Sequence, residues 1–123
     1  VIQPAIAYNK AENLLLDGKY DEAIEAFTML GSYSDSQARI EEAQDAIKAS
    51  EHAVAEQLLE KGEYEDAIAA FAALGEYRDS PTRVNDATTA FLDKKLYLHR
   101  KNILRLAVVL TLAMLRQDVL KSG

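Results

Sequence analysis

The sequence predicts an all-α protein: two helix-turn-helix units repeated at a period of 44 residues, followed by a long C-terminal helix. Three observations carry this. Gly18-Lys19-Tyr20-Asp21-Glu22-Ala23-Ile24-Glu25-Ala26-Phe27 returns as Gly62-Glu63-Tyr64-Glu65-Asp66-Ala67-Ile68-Ala69-Ala70-Phe71, and the echo maps Tyr8–Ala49 onto His52–Asp93 with 18 of 42 positions identical. Periods of roughly 20–50 residues belong to stacked units that share a core with their neighbours. Apolar residues recur at the three-and-four spacing of a helical face, and the internal glycines fall only at Gly18, Gly31, Gly62 and Gly75, as paired stops.

Taken in order, Tyr8, Ala11, Leu14 and Leu15 form one face of a first helix over Tyr8–Asp17, closed by Gly18 because glycine accepts the left-handed conformation that ends a helix. A second helix spans Tyr20–Leu30, with Ala23, Ile24, Phe27 and Leu30 inward and Gly31 as its stop. Tyr33-Ser34-Asp35-Ser36 and Tyr77-Arg78-Asp79-Ser80 then offer Asp and Ser as caps for the free N–H groups of the helices that follow. Pro81 supports the second start, since proline suits the first helical position. No Gly or Pro interrupts Ser36–Lys61, which predicts one long helix with a possible bend near Ser50. Tyr64–Leu74 repeats the short helix, with Ala67, Ile68, Phe71 and Leu74 inward. From Ser80 no breaker appears until Gly123, so the last helix is about 40 residues long or kinks around Asp93–Tyr97. Repeat logic calls for another stop glycine where Leu106 stands.

The 123 residues fit one domain, and 49% apolar content suffices for a modest core. The absence of cysteine excludes disulfides, thiolate metal sites and cysteine nucleophiles. The sequence starts at Val1 rather than Met, which fits a fragment of something longer, and its start lacks the basic segment and apolar core of a signal peptide. The net charge of −6 is unevenly spread. Residues 1–93 carry 7 Lys/Arg against 19 Asp/Glu, a balance of −12, whereas residues 94–123 carry 7 Lys/Arg against Asp118 alone, a balance of +6. This break falls where the repeat ends, dividing the chain into 1–93, with units at about 8–49 and 52–93, and a basic apolar helix over 94–123.

Gly-Lys-Tyr-Asp-Glu-Ala-Ile-Glu-Ala-Phe at 18–27 resembles the second-helix signature of tetratricopeptide repeats, with Ala23 and Ala67 at the family's small position and Phe27 and Phe71 at its aromatic one. Ala11/Leu14 and Ala55/Leu58 fit its first helix, and the resemblance covers about residues 8–93. The period of 44 exceeds the family's usual one of about 34, and Tyr-x-Asp-Ser replaces the proline that often ends a unit. The Leu-Gly-x-Tyr-x-Asp-Ser pattern is similar to a variant of Gram-positive bacteria, often found beyond a membrane anchor. The resemblance implies a scaffold that binds a partner protein or peptide in a groove lined by the first helices. Its compartment would be the cytoplasm or the outer face of a membrane-anchored protein. The comparable outward positions here, Asn9, Glu12 and Asn13 with Ala53, Glu56 and Gln57, include no basic residue, which argues against capture of a C-terminal carboxylate. Two units also make a very shallow groove.

Little in the sequence points to catalysis. His52 and His99 are far apart, and His52 takes the slot of Tyr8, so packing at a helix surface accounts for it better than metal ligation, which needs further ligands converging on it. The carboxylates fall in runs such as Asp21-Glu22 and Glu65-Asp66, where the helix dipole already explains them. No phosphate-binding loop or nucleophile elbow is present, and no catalytic residue, metal or cofactor is expected. Tyr20/Tyr64 and Tyr33/Tyr77 recur within the acidic part of the chain, which argues against nucleic acid.

The last helix is different. Leu106–Leu115 is apolar except for Thr111, too short for a membrane span of about 20 residues and bracketed by Arg105 and Arg116. A polar stripe runs through Lys94, Lys101, Arg105 and Arg116, yet Leu98, Val109 and Leu112 lie within about 40° of Arg105 on it, and Ile103, Leu110 and Met114 lie opposite. A helix apolar all round is buried all round, and two units cover only one side. The interruption of the polar face argues against lying on an anionic membrane. Leu98, Arg105, Val108, Val109, Leu112 and Arg116 are therefore the candidate interface residues. The partner expected is a second copy, a dimer first, with a missing neighbouring domain as the alternative. Three roles fit: a self-associating interaction module, an oligomeric assembly part (natural, or engineered onto a repeat scaffold), and an adaptor for a partner protein or peptide.

Overall fold

The computed structural model describes residues 3–122, and these form five helices and no strand. They are α1 (Pro4–Leu16), α2 (Tyr20–Leu30), α3 (Ser36–Glu60), α4 (Tyr64–Ala73) and α5 (Ser80–Ser122). Each helix packs mainly against the next in the chain. The α1 helix begins four residues before the expected Tyr8, because Pro4 serves as a first helical residue whose missing N–H costs nothing there. The long α3 and α5 are both continuous; no break occurs at Ser50 or over Asp93–Tyr97. Gly123, the next glycine after Gly75, lies outside the described residues.

The first joint of each unit is the same helix ending. Gly18 has φ +76° and Gly62 φ +79°, the left-handed region where a side chain is strained. Around Gly18, Lys19 N–H donates to Leu14 C=O at 2.9 Å and Gly18 N–H to Leu15 C=O at 3.1 Å. Around Gly62, Glu63 N–H reaches Leu58 and Gly62 N–H reaches Leu59 at the same distances. This paired pattern satisfies carbonyls the helix end leaves free.

Two separate cores result. Ala11, Ala23, Phe27 and Ile40 form one, flanked by Tyr8, Leu14, Leu15 and Ile24. Ala55, Ala67, Phe71, Leu74 and Ala87 form the other, flanked by Leu58, Leu59, Ile68 and Val84. The duplicated pairs Ala11/Ala55, Ala23/Ala67 and Phe27/Phe71 are all fully buried. Small alanines let the helix backbones approach, and one phenylalanine fills each remaining space. The length of α3 now has a reason: its first half contributes Ile40 to the first core, and its second half contributes Ala55 to the other. By the same logic α5 closes the second core with Val84 and Ala87, then runs on alone. Every described residue from Leu92 to Ser122 is exposed.

Candidate interaction surface

Asp35 and Asp79, expected as caps, each reach a side chain on the first helix of their unit. Asp35 makes no side-chain capping bond to α3. It accepts instead from the Tyr8 hydroxyl, across 27 positions of sequence. Its counterpart Asp79 meets His52 Nε2 at 2.7 Å, also 27 positions away. Below each lies an arginine. Arg39 pairs with Glu12 at 2.8 Å and Glu42 at 2.9 Å, and lies 3.5 Å from Asp35. Arg83 pairs with Glu56 at 2.8 Å and lies 3.3 Å from Asp79 and 3.6 Å from Asp86. Each unit thus carries one polar clasp, tying its first helix to the start of the helix that closes it. Tyr8 and His52 also stack edge-on against Phe27 and Phe71, at 5.6 and 5.5 Å between ring centres, which joins clasp to core.

Two carboxylates converge on His52: one ligand atom each of His52, Glu56 and Asp79 lies within 4.8 Å of the others. A divalent cation would need to displace Arg83, whose Nε already faces both carboxylates. In the other unit Tyr8 stands where His52 does and the same arginine is present, so holding the helices together explains the cluster without an ion. The pairing also removes Glu12 and Glu56 from the outward positions at which a peptide could be held.

The clasps respond to pH in opposite senses. The hydrogen bond to Asp35 raises the Tyr8 phenol above its ordinary 10.0, because the bond requires the proton. The hydrogen bond from His52, followed by one from Asp79's own backbone and more weakly by the nearby Arg83 charge, lowers Asp79 below its ordinary 3.8. A raised value contributes stability that is complete below the ordinary one and lost as pH climbs through the folded one. A lowered value contributes stability present above the ordinary one and lost as pH falls through the folded one. Asp79→Asn should therefore be less stable than the parent in urea melts at pH 7, with the difference shrinking toward zero below the ordinary carboxylate value of 3.8. A difference unchanged between pH 7 and acid would count against an ionic role for Asp79.

The expected interface residues all lie on α5, and all but Leu98 on its projecting part. Leu98 is 47% exposed and sits near the start of α4, in a hollow shared with Tyr64, Phe91 and Lys94. Arg105, Val108 and Val109 come together in a shallow apolar groove with Lys101 and Leu104. Leu112 and Arg116 lie farther out on the same helix. Val109 and Leu112 are 60% and 61% exposed, and Ile103 and Leu110, on the other side, 52% and 55%. Both sides are bare. No helix among the described residues is long and apolar enough to cross a membrane. A second apolar groove, lined by Ala7, Leu14, Ala26, Met29, Leu30 and Tyr33, opens on α1 and α2 with a cavity volume of about 520 Å³. No family model, curated protein or solved structure matches the chain.

Proposed function

We propose that this chain is a non-catalytic protein–protein interaction module, built of tetratricopeptide-like helix-turn-helix units, that associates with itself through its C-terminal helix. The observation that carries the reading is the far part of α5, where apolar side chains are exposed on opposite sides at once: Val109 and Leu112 on one, Ile103 and Leu110 on the other. Exposed apolar patches of this extent mark contact sites. The repeat reading draws support from the matching cores, in which Phe27 and Phe71 play the same part. A second copy fits as partner because the helix is basic, +6 over 94–123, and the body is acidic, −12 over 1–93. Hydrophobic contact supplies most of the affinity, at roughly 25 cal/mol per Å² before the cost of association. The charges guide encounter and register. A closed, symmetric homo-oligomer follows, with a two-fold dimer as its smallest form.

Sedimentation of the full chain at high micromolar concentration should show an oligomer. Val109→Glu with Leu112→Glu should reduce it to monomer while far-UV circular dichroism stays that of the parent, since both residues are exposed in the single chain. A monomeric parent would overturn the proposal.

A further inference from the structure

We infer that the C-terminal helices of two copies pair antiparallel, centred on Val109, so that the acidic bodies lie at opposite ends of the shared helical segment. The inference rests on the self-association proposed above and adds its orientation.

Charge along α5 is lopsided. Lys94, Lys95, Arg100, Lys101 and Arg105 occupy residues 94–108 with no acidic residue among them, whereas residues 109–122 carry Arg116 and Lys121 against Asp118. A parallel pair sets the first group level with its own copy. It also brings two bodies of −12 side by side at one end. Charges within a Debye length of about 8–10 Å repel at ordinary salt. The segment 96–122 is about 40 Å long at 1.5 Å per residue, so antiparallel pairing separates the bodies by several screening lengths. It also sets the strongly basic half of each helix against the nearly neutral half of the other and opposes the two helix dipoles.

The register follows from the apolar run. Ile103–Leu115 is interrupted only by Arg105 and Thr111, and Val109 is its midpoint. Overlap of that run with itself places Asp118 level with the partner's Arg100, Arg116 with the partner's Asn102 and Lys121 with the partner's Tyr97. Asp118 and the partner's Arg100 share this level but lie about 180° round their helices from Val109 at 100° per residue, so the apolar run and not this pair sets the register.

The chain contains no cysteine, so Lys121→Cys introduces one unique, exposed attachment point for a nitroxide spin label. Dipolar spectroscopy on the labelled full chain at high micromolar concentration should give a separation of about 36 Å or more, from 24 residues of axial offset at 1.5 Å each. Labelling at Arg100→Cys should give about 27 Å from 18 residues of offset. Separations under about 20 Å at both sites, near the cross-axis spacing of neighbouring helices plus two label arms, would overturn the antiparallel arrangement and leave self-association standing. Loss of any dipolar signal, with monomeric sedimentation of the unlabelled parent, would overturn both.

Discussion

Replacing Phe27 by Ala should destabilise the protein by about 3–5 kcal/mol, and Phe71→Ala should do the same, as for buried aromatics generally. Both rings are fully buried, and they are the largest side chains of their cores. The other fully buried residues of the two cores are alanines, too short to reach into the space a lost ring leaves. Each ring also carries the edge-on contact of its clasp residue, Tyr8 or His52. The loss is a large share of the roughly 5–15 kcal/mol that holds a domain folded. Urea melts followed by circular dichroism measure it. Both variants within 1 kcal/mol of the parent, well short of the cavity-forming range, would mean that the rings are not the centres of two cores. An effect at one position only would mean that the duplicated residues do not have equivalent roles.

Helix ends were legible because their signals are local, whereas α1 starts four residues before the apolar face that marked it. Gly18 and Gly62 announce a left-handed residue by being glycine, and the apolar spacing of Ala23, Ile24 and Phe27 needs only one helix to be read. The roles of Asp35 and Asp79 were not legible in the same way. A cap and a clasp both call for a short acidic side chain before a helix, and they differ in where the oxygen points. Here it points to a side chain 27 residues earlier. A signal existed: Glu12/Glu56, Asp35/Asp79 and Arg39/Arg83 are identical in both units, while most other charged positions differ between them. Charges that survive duplication are held by partners, and each of these is. The approach of Asp79 to His52 was hidden for the same reason, since it depends on how α3 lies against the start of α5, whereas Glu56, four residues after His52 on one helix face, was legible from spacing. The bare surface of α5 was legible from composition, because no arrangement of two short units can cover a helix that is apolar all round.

Ser50→Pro should be the most damaging single substitution on the surface. Ser50 is exposed, and no side-chain contact accounts for its importance. Its place in the chain does. Among the described residues α3 is the one element that contributes to both cores, with Ile40 in the first and Ala55 in the second, and Ser50 lies between them. Proline there removes the N–H that bonds one turn back and drives its ring against the carbonyl of Ala46, at a cost of about 3 kcal/mol or more in a helix interior. Both clasps and both cores keep all their residues, so each unit retains its own contacts. What changes is the rigid helical connection by which one unit stabilises the other. Stability in stacked repeats is a sum of unit terms and neighbour terms, and here the neighbour term runs through one helix. Thermal unfolding of Ser50→Pro should therefore begin at lower temperature and broaden or split. Ser50→Ala should melt as sharply as the parent, because alanine is the best helix former and no contact is lost. A single, equally sharp transition for Ser50→Pro, shifted only in midpoint, would show that the two cores are coupled by contacts other than the continuity of α3.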